Sequence, residues 1–241
     1  MGCLKKLDTC SVARWRLPVM KWKTRILLTI SLCFLWQTPT VWSSPAQTAE
    51  EVIVASTEAI YRAIKDQCGE IEQNPLHLHK LVEEILIPHA DFARMAQLAL
   101  GKHWKTAETS LRSEFVIQFR HLLIRTYSTA VQMASLEAIR YLPSRAGTKP
   151  GTVTVRTEVR RPGEALVTIN YRLYQRGVEW LVYDILVDGI SLVSNYRSTF
   201  AEEISTKGFS GLVGLLEKKN QRPVIQSNAD LIRKRARRAC K

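Results

Sequence analysis

TVTVRTEVRRPGEALVTINYRLYQRGVEWLVYDILVDGISLVSNYR, residues 152–197, is the stretch whose pattern settles the fold class. Val153, Val155, Thr157 and Val159 alternate with Thr152, Thr154, Arg156 and Glu158. Val167, Ile169, Tyr171 and Leu173 alternate in the same way with Thr168, Asn170 and Arg172. A period of two sends alternate side chains to opposite faces, which predicts half-buried strands. Arg161-Pro162-Gly163-Glu164, Arg176-Gly177 and Asp188-Gly189 supply turn chemistry between them. Trp180–Val187 is apolar on both faces and reads as a central strand, with Ile190–Arg197 as the strand after it. Short consecutive strands with tight turns predict an antiparallel meander of four to five strands.

On either side the period becomes helical. Residues 144–151, rich in Gly, Pro, Ser and Lys and following Pro143, read as a loop. Before it, Val52, Ala55, Ala59, Ile60 and Ile64 recur near helical spacing over residues 47–66. Asn74-Pro75 opens a second helix carrying Leu78, Leu81, Val82, Ile85 and Leu86, which Pro88 closes. Asp91 caps a short helix from Phe92 to Leu100, and Gly101 ends it. Leu111, Phe115, Phe119, Leu122, Leu123, Thr126, Tyr127 and Ala130 form one apolar face along residues 106–133. Beyond the strands, Ser198–Lys207 and Gly211–Lys219 read as two further helices. Helices, then a meander, then helices make an α+β chain.

The formal net charge of +13 suggests nucleic acid until it is located. Lys5, Lys6, Arg14, Arg16, Lys21, Lys23 and Arg25 near one end, and Arg233, Lys234, Arg235, Arg237, Arg238 and Lys241 at the other, hold nearly all of the excess. Residues 44–232 are close to neutral, and the sheet lacks the interleaved basic and stacking residues of a single-strand reader. No nucleic-acid partner is expected. The N-terminal charges precede an uncharged run, Ile26–Trp36, followed by the small residues Ser43, Ser44 and Ala46. That order is expected of a secretory signal peptide over residues 1–43, and the run is too short to span a bilayer. Met20 opens MKWKTRILLTI, a complete leader in itself, so the true start is placed there as an alternative. Leu32 occupies the position where a lipoprotein signal ending at Cys33 needs a small residue. Residues 44–220 are then the folded domain, and 221–241 a basic, disordered tail that could meet an anionic membrane surface or an acidic partner. Cys68 and Cys240 remain after the leader. Export permits a disulfide, but the pattern does not say whether these two pair.

GxSxG, P-loop, GxGxxG and HExxH spacings do not occur, nor does a cysteine–histidine cluster with metal spacing. His77 and His79 lie two apart, about 200° round a helix, and cannot share an ion. No cofactor or metal is expected. Two carboxylates remain as candidate bases. Asp91 is better read as a helix cap, and Asp184, which interrupts an apolar strand, as a buried acid held by an arginine or by backbone amides. The abundant apolar surface could fill a core or line a pocket; periodicity does not separate the two.

The segment from Asp91 onward resembles the MlaC family, also called toluene-tolerance proteins. The resemblance is carried by Asp91-Phe92-Ala93-Arg94-Met95-Ala96, Leu100-Gly101, Trp104, Phe115, Phe119, Leu122-Leu123 and Thr126-Tyr127. It continues through Trp180-Leu181-Val182-Tyr183-Asp184-Ile185, Asp188-Gly189-Ile190-Ser191-Leu192-Val193, Asn195-Tyr196-Arg197, Phe200 and Gly208. It implies helices around a curved antiparallel sheet that enclose an apolar cavity. It also implies a periplasmic, non-enzymatic carrier of phospholipid between an inner-membrane ABC-type transporter complex and an outer-membrane lipoprotein complex. On that reading the pocket wall is Met95, Leu98, Leu122, Tyr127, Ile169, Tyr171, Trp180, Ile185, Leu192, Phe200 and Leu215. Asp91, Gly101, Asp184, Gly189 and Arg197 are structural, with Arg197 paired to Asp184. Docking could use Arg233, Lys234, Arg235, Arg237 and Arg238. Three alternatives stay open: a hopanoid or other lipid as cargo, a small cone-shaped enzyme using Asp184 or Asp91, and an adaptor with a filled core.

Overall fold

The computed structural model describes residues 47–133, 138–160, 165–221 and 226–240. The expected leader and the turn at residues 161–164 lie outside these. Helix α1 (Ala49–Asp66) begins with a capping box: Thr48 Oγ1 accepts the Glu51 amide at 3.2 Å, and Glu51 Oε2 accepts the Thr48 amide at 2.8 Å. Helices α2 (Cys68–Gln73) and α3 (Leu76–Ile85) follow, the latter started by Asn74 Oδ1 accepting the Leu76 amide at 3.1 Å. A 3₁₀ turn at Ile87–His89 leads to α4 (Phe92–Leu100), α5 (His103–Thr106) and the long α6 (Thr109–Met133). The boundaries of α4 are those read from Asp91 and Gly101.

Five strands then pair antiparallel in chain order: β1 (Ile139–Ala146), β2 (Thr152–Val159), β3 (Val167–Arg176), β4 (Glu179–Val187) and β5 (Ile190–Ser191). Strand β1 corrects the expected loop from residue 144. Pro143 sits in an edge strand, at the register shift between Leu142 and Arg145, where a missing N–H breaks no ladder. Nor is β4 central. Among the described residues its outer neighbour strand is the two-residue β5, while Ala90 bridges to Val182 and the Asp91 amide donates to the Val182 carbonyl at 2.9 Å. Its two apolar faces reflect this extra cover.

The expected strand Ile190–Arg197 stops after two residues, and helix α7 runs Leu192–Gln221, broken at Gly208 (φ 70°). Helix start chemistry explains the change. Ser191 Oγ accepts the Ser194 amide at 3.1 Å and Asp184 Oδ1 accepts the Val193 amide at 3.3 Å, satisfying donors that a helix N-terminus leaves free. The tail expected to be disordered contains helix α8 (Gln226–Ala239). Ala229, Ile232 and Ala236 form a buried stripe on it, and a disulfide joins Cys240 to Cys68 at the head of α2. Its arginines conceal that stripe when the tail is read by charge alone.

Among the described residues, three buried clusters hold the fold together. One packs α4, α6 and α7 around Phe115, Phe119 and Phe200, whose ring centroids lie 5.4–5.6 Å apart. A second joins α1, α2, α3, α6 and α8 through Ile60, Ile71, Leu78, Ile124 and Ile232. The third places α1 on the sheet through Ile53, Val155, Leu173 and Val182.

Candidate functional site

Where the three clusters meet there is a cavity of about 290 Å³, partly open to solvent. Helix α1 contributes Ile53, Ser56, Thr57, Ile60 and Tyr61, spaced i, i+3, i+4, i+7 and i+8 and so on one face. Helix α6 contributes Leu123, Ile124, Tyr127, Ser128 and Val131 by the same geometry. Val82, Leu86, Ile87, His89 and Ala90 come from α3 and the turn after it, and Phe92, Met95 and Leu192 from α4 and the start of α7. The sheet supplies cross-strand pairs, Ile139 opposite Val159, Ile169 opposite Val187 and Tyr171 opposite Ile185, together with Val182. Ile169, Tyr171 and Ile185 face inward yet are only half-buried, because they border empty space.

Among the described residues, no Asp, Glu, Lys or Arg lines this wall. Its polar atoms are hydroxyls and the His89 ring. Ser56 Oγ donates to the Val52 carbonyl of its own helix at 2.7 Å, whereas Ser128 Oγ is buried with no partner among the described residues. Burial pushes the Tyr171 hydroxyl up to about 12 and raises Tyr61 as well, with the neighbouring tyrosines adding to both shifts. Both are therefore neutral phenols at ordinary pH. The arrangement suits hydrocarbon.

Of the residues expected in the wall, Met95, Tyr127, Ile169, Tyr171, Ile185 and Leu192 line the cavity. Five do not. Leu122 and Phe200 are buried in the aromatic cluster, and Leu98 packs half-buried against it. Trp180 packs against the sheet-side cluster, and Leu215 is half-buried on α7. Wall and core share one helical period, so Leu122 and Leu123, adjacent in sequence, go to different places. The expected wall holds nothing from α1 and not Ser128; the helical periodicity of α1 marks that face, while Ser128 carries no sequence signal.

Neither candidate base reaches the cavity. Asp91 Oδ1 accepts the Arg94 amide at 2.9 Å as a helix cap, and Oδ2 accepts the Tyr174 hydroxyl. Asp184, only 3% exposed, accepts from Arg172 Nη1 at 3.1 Å, Ser191 Oγ at 2.7 Å and the Val193 amide. Its ion-pair partner is thus Arg172, which lies directly opposite it on β3, and not the expected Arg197. Arg197 instead donates twice to the Leu98 carbonyl, at 3.0 and 2.6 Å, beside the α4 terminus. Gly101 (φ 55°) and Gly189 (φ 82°) have the left-handed backbone expected of them; Gly189 follows Asp188 (φ 48°) in a two-residue hairpin turn. On α8, Arg233 pairs with Asp230 and Arg237 with Glu72, while Lys234 and Arg238 are exposed.

The sequence profile of the MlaC protein family matches residues 55–218. The chain belongs to the MlaC family. Helix α8 lies beyond the matched MlaC region. The chain is 18% identical to the intermembrane phospholipid transport system binding protein MlaC of Haemophilus influenzae, over 87% of this chain and 97% of that protein. It is 23% identical to a toluene tolerance protein of Pseudomonas putida, over 68% of this chain and 76% of that one. Among solved structures it is similar to a phospholipid-binding protein from Ralstonia solanacearum, determined in complex with a phospholipid. Identity there is 32% and the TM-score 0.63, covering 72% of this chain and 97% of that chain.

Proposed function

We propose that this chain is a periplasmic carrier that takes phospholipid acyl chains into the cavity and shuttles them between an inner-membrane ABC-type transporter complex and an outer-membrane lipoprotein complex. The observation that carries the reading is the uncharged wall, built by α1, α3, α6 and the inner face of the sheet. The names of the relatives and the phospholipid in the Ralstonia solanacearum structure support the choice of cargo. Each buried methylene contributes about 0.8 kcal/mol, so a chain of roughly sixteen carbons gains on the order of 10 kcal/mol before ordering costs. Such a wall needs no ionic recognition to hold its cargo. The volume lies near the lower end of the usual range for ligand pockets, about 300–1,000 Å³, and suits one acyl chain better than two.

The test has two arms. Fractionation should find the chain in the periplasm, with an N-terminus after Ser43 or Ala46. The purified protein should move a fluorescent phospholipid from donor to acceptor vesicles at a rate set by its own concentration. A chain that stays cytoplasmic, or leaves the lipid in the donor vesicles, refutes the proposal.

A further inference from the structure

The outward face of the sheet carries a second recess, of about 390 Å³, whose chemistry is opposite to that of the cavity. The register explains it. One row across the strands reads Arg145, Thr154, Arg172, Asp184, and the next reads Leu142, Arg156, Asn170, Leu186. Three guanidiniums therefore converge from three adjacent strands. Thr154, Asn170 and Tyr183 complete the polar lining, and the β1–β2 hairpin at residues 146–148 forms the rim. Asp184 answers Arg172, and among the described residues no carboxylate lines the recess to answer Arg145 or Arg156. Like charges gathered on neighbouring strands repel. An arriving anion would relieve that repulsion.

We infer that this recess is a docking site for an extended, acidic segment of a protein partner. Neighbouring strands are about 4.8 Å apart and alternate residues about 6.6 Å apart. On those spacings Arg145 and Arg172 stand about 10 Å apart, and Arg156 about 8 Å from each. Alternate carboxylates of an extended peptide lie about 6.6 Å apart, within reach of long side chains on such spacings, and guanidinium forks donate to carboxylates in two-point geometry. A bilayer fits less well. Arg156 is half-buried in the recess, where a flat bilayer surface reaches it less readily than a single extended strand. Arg156, Asn170 and Arg172 point away from the cavity, whereas their strand neighbours Val155, Ile169 and Tyr171 face inward. The sheet thus separates the two sites, so a partner can be held without displacing what fills the cavity, and the recess does not depend on the identity of that cargo.

The test uses the whole purified chain and a fluorescein-labelled peptide of alternating glutamate and serine, followed by anisotropy. Saturable binding that weakens as salt rises is expected. The double substitution R145Q/R156Q should weaken it about tenfold, and K218Q/K219Q at the end of α7 should leave it unchanged. Thermal melts of the variants matching the parent exclude misfolding, and lipid uptake by R145Q/R156Q should remain at the parent level. Absence of saturable peptide binding, or equal binding by R145Q/R156Q, overturns the inference. So does preferential binding of phosphatidylglycerol vesicles that the same substitutions abolish, since that makes the occupant a membrane.

Discussion

Replacing both Ile169 and Ile185 with phenylalanine separates a hollow pocket from a filled core. Both residues face inward from adjacent strands and border the cavity. Each substitution adds three heavy atoms without a polar group, and phenylalanine is at home in a strand. Six added atoms displace about six methylenes of cargo, which at 0.8 kcal/mol each is roughly 5 kcal/mol, or more than a thousandfold in affinity. In a filled core the same rings would overpack at about 1–3 kcal/mol apiece and lower the melting temperature by roughly 5 °C or more. The assay pairs thermal melts of delipidated protein with uptake of radiolabelled phospholipid from vesicles. The expected result is a melting temperature equal to or above the parent's, together with uptake reduced to background. Lower stability with uptake intact would refute the assignment of this space as the binding site.

Three further outcomes follow from particular contacts. Asp184→Asn removes the charge that binds Arg172, Ser191 and the first turn of α7, and should cost about 2–4 kcal/mol in denaturant unfolding while phospholipid uptake persists. Burial holds Tyr171 at about 12 and raises Tyr61 and Tyr196, in each case above the unfolded value near 10. The folded state therefore retains protons that the unfolded chain releases, so stability is intact below pH ~10 and falls between about 10 and 12; Tyr171→Phe should flatten part of that decline in alkaline melts. Cys68→Ser opens a closure spanning 172 residues, and loss of about 2–5 kcal/mol is expected, with trypsin cutting first at Arg233–Arg238 on the released α8.

Where local chemistry and tertiary packing agreed, the sequence was sufficient. Asp91 and Gly101 bound α4 as read, because a cap and a left-handed glycine act within one turn of chain. The alternation in β2 and β3 placed Ile169 and Tyr171 on the inner face for the same reason. The failures share a different cause: each depended on a partner distant in sequence. Strand β1 contains a proline that only an edge position tolerates, and α7 begins early because Asp184 and Ser191 cap it from the hairpin before it. Helix α8 depends on Cys68 and on the cluster around Ile71 and Leu78. Phe200 and Leu122 went to the core while Leu123 and Leu192 reached the cavity, a division set by helix rotation and not by residue type.

Occupancy of the cavity by phospholipid is read by mass spectrometry of lipids extracted from the protein after detergent-free purification from the envelope of the cells that make it. Phospholipid in near-stoichiometric amount is expected, lost from the Ile169→Phe/Ile185→Phe variant purified alongside. A parent protein that is reproducibly lipid-free, and remains so after incubation with phospholipid vesicles, would contradict it.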